Sequence, residues 1–309
     1  MNDQIALITF GCSWTYGVGV GYKDGMLDAE FREIAWDNKI CNKLSFRGVL
    51  SKKYNLYNIN FSHGGSSNQR QFRLATEFFL SPKFKKIQND YSKIIVLWGI
   101  TSTARSEYFS VIDNNLKNFK FDFPDTSFEK MFVKYAYDHD YEVYRLKLNM
   151  IFWNEYFTNN KISNIWVDTF NHHNYKAEFI DPIIKEDYNS YRGADWPTWD
   201  QFLLQNYSNI NKTTLKEIEQ RFYLKACPDR LFNADIPNRD LLSQLAIKNG
   251  LLEFESNYHL STGWKVDSDR VEFLKDRQIL DPISLHPTSK GHKQIAEMFY
   301  QLFDKIVDE

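Results

Sequence analysis

A side-chain hydroxyl attacks a carbonyl only when a base takes its proton and donors await the oxyanion that the attack creates. The segment "ITFGCSWTYGVG" from Ile8 presents such a hydroxyl. An apolar run stops at Gly11, and Cys12, Ser13 and Thr15 follow at once. Near the other end of the chain, "DPISLHPTSKGH" offers His286, an imidazole able to exchange a proton near neutral pH. "HGGSSNQR" supplies glycines with unobstructed N–H groups, and "WGITSTAR" supplies Thr101 and Arg105. Serine, imidazole, glycine N–H and a further hydroxyl form a set suited to acyl transfer through a covalent intermediate, a chemistry that calls for no cofactor and no metal. Arg105 is placed to bind an anionic substrate group or to form a surface ion pair, and Trp14 and Asn68 are further candidates for substrate contact.

Rival chemistries fit the sequence less well. In "GVGVGYKDG" Tyr22 stands where a dinucleotide loop needs its third glycine, and no Lys-Ser/Thr pair opens a helix as in a phosphate loop. His172 and His173 are adjacent, so they point apart and read as surface histidines rather than metal ligands. Cys12, Cys41 and Cys227 form no CxxC pair, which argues against a disulfide framework or a zinc knuckle. Cys12 could compete as nucleophile, but neighbours on a tight turn diverge. His292, one turn into the last helix, reads as a structural residue bonding back to the preceding loop. Tyr108, Trp153, Trp166, Trp196 and Trp199 are expected in the core, with a sugar-stacking wall as the second reading.

These residues need strand ends to carry them. Short apolar runs at 5–10, from Asn55, from Lys93 and from Ser163 read as buried strands, three of them leading directly into the reactive segments. Helical spacing recurs over 42–54, 69–80 and 289–307, the last opened by Pro287, Thr288 and Ser289. Strands alternating with helices predict an α/β fold, a parallel sheet with helices on both faces, whose ligand site lies at the carboxyl ends of the strands. Two stretches interrupt the rhythm, roughly 108–161 and 171–277, and both read as largely helical insertions. With no repeat and no long linker, the chain reads as a single domain, 1–309.

Bulk properties narrow the partners. The chain has 309 residues, with 38 basic against 40 acidic and a formal net charge of −2, without long blocks of one sign. A general grip on nucleic acid or an anionic membrane would need clustered Lys and Arg. No run approaches the ~18 apolar residues of a membrane helix, and the first residues lack the basic leader of a signal peptide. A cytoplasmic or virion-associated protein in a reducing environment is expected, and its oligomeric state stays open.

The order of these segments resembles the SGNH (GDSL-type) hydrolase superfamily of esterases, lipases and carbohydrate deacetylases. The resemblance implies a flavodoxin-like sheet and covers about a quarter of the chain, at both of its ends. On it, Ser13 matches the nucleophile, Gly65 (less well Gly64) the second-block glycine, and His286 the base, with Ser13, Gly65 and Thr101 forming the oxyanion hole. Three positions depart. Cys12 replaces the first-block aspartate. Thr101 stands where the third block has asparagine, for which Asn68 or Ser102 could substitute. Ile283 occupies the position of the acid, three before His286, so Asp281, five before it, is the candidate acid, or else Ser284 or a backbone carbonyl holds the ring. The implied activity is ester hydrolysis, with an O-acetylated carbohydrate as a candidate substrate. The alternatives are a weakly active or inactive binding module, phage- or glycan-associated, and an acyltransferase using the same dyad.

Overall fold

The computed structural model describes residues 2–103, 105–120, 126–135, 139–169, 241–250 and 268–308. Four parallel strands form the main sheet: β1 (Asn2–Phe10), β2 (Tyr57–Asn60), β3 (Tyr91–Ile100) and β6 (Ser163–Asp168), in the order β2-β1-β3-β6. Both faces are covered, which explains why β1, β3 and β6 read as apolar runs, whereas the edge strand β2 alternates and buries only Ile59. Side chains alternate between the faces. Leu7, Ile95, Leu97, Ile165 and Val167 enter one core, with α4 (Phe46–Tyr54), α9 (Leu241–Lys248), α10 (Ser268–Asp276) and α11 (Ser289–Asp308). Ala6, Ile8, Phe10, Ile94, Val96, Trp98 and Trp166 enter the other, with α5 (Asn68–Phe79), α6 (Pro82–Asp90) and α8 (His139–Asn159).

The expected α/β architecture is therefore present, with strands close to their expected places. Two details differ. The predicted helix over 42–54 is two, α3 (Asn38–Leu44) and α4, because Ser45 leaves the helical conformation and its hydroxyl caps α4 by accepting from Gly48 N–H. The stretch beginning at 108 is not helical at its start: β4 (Arg105–Ser110) and β5 (Asn115–Lys120) pair as an antiparallel hairpin, with Asn114 turning at φ +47°. α7 (Ser127–Tyr135) and α8 then follow as expected. The hairpin docks on α5, where Arg73 grips Glu107 through Nε and Nη2 at 2.7 and 2.9 Å, and Gln69 Oε1 accepts from Glu107 N–H.

Most of the second predicted insertion, with His172, His173, Trp196, Trp199 and Cys227, lies outside the described residues. Trp153 and Trp166 are core residues at 4% and 1% exposure, which excludes them from a stacking wall, and Tyr108 packs on Phe128. Among the described residues no helix is long and apolar enough to cross a membrane, and no cluster of His, Cys, Asp and Glu could hold a metal ion.

Candidate active site

β1 leads into Ser13, the candidate nucleophile. After Phe10 the chain runs through Gly11 and an extended Cys12 into the four-residue helix α1 (Ser13–Tyr16), which Gly17 ends at φ +100°. Gly11 and Gly99 are needed for a steric reason. A Cβ at either would lie 2.2 or 2.1 Å from Thr15 Oγ1, so two strand ends are kept bare to admit one threonine. Wedged there, Thr15 sets the direction in which α1 leaves the sheet. Cys12 is fully buried in the apolar core, away from any substrate, whereas Ser13 retains 7% exposure.

Arg47 on α4 fixes the other end of α1. Its Nε donates to Thr15 O at 3.1 Å, Nη2 to Tyr16 O at 3.0 Å and Nη1 to Asn42 Oδ1 at 2.7 Å. The side chain is fully buried and, among the described residues, has no carboxylate partner. Burial lowers its pKa to about 10, which leaves it cationic at neutral pH. A buried guanidinium satisfied by backbone carbonyls is a costly arrangement. Here it compensates the carbonyl end of the nucleophile helix, where positive charge is favourable.

The candidate base comes from the loop before α11. His286 Nε2 lies 2.6 Å from Ser13 Oγ, and Nδ1 lies 2.9 Å from Ser284 Oγ, which donates to Asp281 Oδ2 at 2.7 Å. This chain of contacts fixes the tautomer. Asp281 Oδ1 also accepts from the N–H groups of Ile283 and Ser284, and Oδ2 accepts from His286 N–H. Four donors converge on a fully buried carboxylate, so it acts as acceptor only. The single Ser284 proton is directed to it, Ser284 Oγ must accept from Nδ1–H, and Nε2 is left as an acceptor for the Ser13 proton. Asp281 thus reaches the imidazole through Ser284.

The same carboxylate folds the loop. Its bonds two and three residues ahead form an Asx-type turn. Asp281 N–H donates to His286 O, and Leu280 bridges Pro287. Leu285 sits at φ +59°, a conformation few side chains adopt. The glycine-rich turn after α1 supports the loop from below. A Cβ on Gly19 (φ +98°) would lie 2.5 Å from Pro287 O, 3.0 Å from His286 Cβ and 3.1 Å from Asp281 Oδ2. Ser289 Oγ donates to Val20 O as a further tie. The run "GVGVG" is therefore a bare platform for the base.

The candidate oxyanion residues Gly65 and Thr101 lie in the loops after β2 and β3. Gly65 has φ +68°, a Cβ there would meet nothing within 4 Å, and its N–H has no acceptor among the described residues. Asn68 does not point its amide outward. Its Nδ2 donates to Thr101 O at 2.8 Å and its Oδ1 accepts from Thr101 N–H at 3.0 Å, a two-bond clamp joining α5 to the end of β3. Thr101 is fully buried behind that clamp. Arg105, 3% exposed, lines a small cavity with Asn68, Gln69, Phe72, Glu142 and Arg145. Trp14 packs in the core at 5% exposure.

The chain is similar to GDSL-type esterases and lipases. No family model matches it, and no curated protein matches it. Among solved structures it is similar to the psychrotrophic esterase EstA from Pseudoalteromonas sp., at 11% identity and TM-score 0.40 over 98% of this chain and 99% of that one. A protein described as lipolytic, of the G-D-S-L family, from Desulfitobacterium hafniense matches at 11% identity and TM-score 0.35 over 96% and 98%. A protein described as a GDSL-like lipase from Parabacteroides merdae matches at 11% identity and TM-score 0.38 over 97% and 94%.

Two contributors are not legible in the sequence. Gly19 acts on His286 and Pro287, and Arg47 on the carbonyls of Thr15 and Tyr16, more than 30 positions away in each case, and only the glycine spacing hinted at the first. His292 is structural as expected, though its side chain reaches α4 rather than the preceding loop: Nδ1 accepts from Phe46 N–H at 3.2 Å. Burial, with Arg47 and His286 nearby, pushes the His292 pKa down to about 3, so this ring stays neutral beside the site.

Proposed function

We propose that the chain is a serine hydrolase that cleaves an ester in two steps. The observation that carries the reading is the 2.6 Å contact between Ser13 Oγ and His286 Nε2, side chains 273 positions apart. In the first step Oγ bonds to the ester carbonyl carbon as Nε2 takes its proton, and the carbonyl π electrons move to oxygen. In this reading the N–H groups of Ser13 and Gly65 receive that oxyanion, which the lack of an acceptor for Gly65 N–H among the described residues supports. Collapse breaks the bond to the alcohol oxygen, which leaves with the proton from the imidazolium. Water then repeats the sequence on the acyl-enzyme and frees the acid. Ser284 and Asp281 hold Nδ1 and favour the transient positive charge.

The substrate class is an ester of a small acyl group, with an acetylated carbohydrate as the leading candidate from the family resemblance. Turnover of 4-nitrophenyl acetate, lost in both Ser13→Ala and His286→Ala, is the expected result. Labelling by a fluorophosphonate probe should disappear in Ser13→Ala. A folded wild-type protein that neither turns over the ester nor takes the label would make the chain a binding module. Ester products formed only with an added alcohol acceptor would make it an acyltransferase.

A further inference from the structure

Beside the oxyanion glycine stands a ring system that the catalytic groups do not use. Trp36, between α2 (Asp28–Ile34) and α3, is 46% exposed, yet it is held on several sides. Its six-membered edge lies against Gly64, where a Cβ would come within 1.9 Å of the ring. The Tyr16 ring packs on it at 5.4 Å between centroids, and the Tyr16 hydroxyl donates to Trp36 O at 3.1 Å. The exposed imidazole of His63 lies nearly parallel to the indole, at 25° and 5.9 Å, with its Nδ1 2.9 Å from Gly64 O.

An exposed aromatic side chain usually keeps its rotamer freedom, and fixing one at the surface brings no burial gain in return. A half-exposed indole already immobilised is prepared to bind at low entropic cost. Its connections place it. Tyr16 closes the helix that Ser13 opens, and Gly64 directly precedes Gly65. Trp36 is therefore tied, through Tyr16 and Gly64, to the two segments that carry Ser13 and Gly65. The two bare glycines of "HGG" now have separate reasons: Gly64 admits the indole, and Gly65 takes the positive φ.

We propose that Trp36 and His63 form a subsite for the alcohol half of the substrate, and that this half carries a ring with a flat apolar face. The subsite rests on the hydrolase reading for its position but not for its ability to bind. Both an aryl ring and the C–H face of a pyranose have that chemistry, and stacking of this kind contributes about 0.5–1.5 kcal/mol. The expected loss on removing the indole is thus about two- to twelvefold.

The test compares kcat/KM for 4-methylumbelliferyl acetate and for an acetylated methyl pyranoside, each relative to ethyl acetate. In Trp36→Leu one or both ratios should fall about two- to twelvefold, chiefly through KM, and whichever falls identifies the ring. His63→Ala should lower the same ratio by less, and serves if Trp36→Leu does not fold. Leu80→Ala, a surface change elsewhere, should leave the ratios alone. In parallel, 4-methylumbelliferone and methyl glucopyranoside are titrated into Ser13→Ala with and without Trp36→Leu. If the wild-type protein turns over none of the esters, Trp36-dependent binding would sustain the subsite while removing the hydrolase reading. Unchanged ratios, or no Trp36-dependent binding where nothing turns over, would overturn the subsite.

Discussion

Removing one hydroxyl, Ser284→Ala, tests whether an acid that never touches the imidazole still assists it. The two bonds from Nδ1 to Ser284 Oγ and on to Asp281 Oδ2, 2.9 and 2.7 Å, leave the carboxylate within about 5.6 Å of the ring. At an effective dielectric of about 20, a unit charge at that distance stabilises the imidazolium by about 3 kcal/mol, roughly half the value for direct contact. Ser284→Ala leaves the charge in place but deletes a hydrogen bond to a group that becomes cationic, which costs about 1.5–3 kcal/mol. The expected result is a kcat about 10- to 150-fold lower with KM little changed, since the lost interaction strengthens only as charge develops. The sign for pH follows. The deleted bond favoured the protonated ring, so the apparent pKa on the acidic limb of kcat/KM moves down. Ser284→Thr, which keeps the hydroxyl, should recover most of the rate. Stopped-flow hydrolysis of 4-nitrophenyl acetate from pH 5 to 9 reads all three quantities. A wild-type rate and limb in Ser284→Ala would refute the relay.

Three further outcomes follow from the surroundings. His292, pushed down to about 3 from an ordinary 6.5 by burial, binds its proton in the unfolded chain before it does so in the fold. Stability is then complete above about pH 6.5 and falls as pH drops towards 3, by about 3 kcal/mol at pH 4.5. Urea titrations should show that loss, and His292→Asn, whose Oδ1 can still accept from Phe46 N–H, should flatten it. Gly19→Ala meets Pro287 O at 2.5 Å with φ at +98°, so esterase activity should fall at least tenfold while circular dichroism stays near wild type. Arg47→Met removes the charge but leaves the Thr15 and Tyr16 carbonyls without their donor. Its expected effect is a melting temperature several degrees lower and slower fluorophosphonate labelling of Ser13, with Arg47→Lys intermediate.

How far the sequence could be read depends on how local each cause is. β1, β3 and β6 are legible because a strand buried on both faces must be largely apolar, and "KIIVLWG" or "SNIWVDTF" shows that without reference to any other segment, whereas the edge strand β2 shows only the alternation Tyr-Asn-Ile-Asn. Ser13 and His286 are legible because each lies where a strand end or a helix start must put it. The hairpin at 105–120 is not, since its strands are half polar and its turn depends on Asn114 adopting a positive φ. Gly19, Arg47 and Trp36 owe their roles to Pro287, Thr15 and Gly64, and nothing in a linear reading pairs those positions. The exclusion of Trp153 and Trp166 from any binding wall is equally non-local, because only packing reveals which aromatic residues were left exposed.

The displaced acid has a physical reason in the same terms. Ile283, at the position where the family resemblance would put a carboxylate, packs against the small cluster of Tyr16, Val18, Val20, Phe31, Ala35 and Cys41. That cluster holds the glycine-rich turn under the base loop, so the side chain at 283 serves to seat the loop, and a carboxylate there would be drawn from water into apolar surroundings. The acid is instead found two residues earlier, at the closed neck of the loop, where four donors already await it. Distance to the imidazole is the cost of that move. Ser284, whose backbone N–H and hydroxyl both bond to Asp281, is the residue that spans the gap. One carboxylate therefore shapes the turn directly and, on the proposed mechanism, polarises the base through an intermediary. That division makes the loop's fold and the ring's protonation state inseparable.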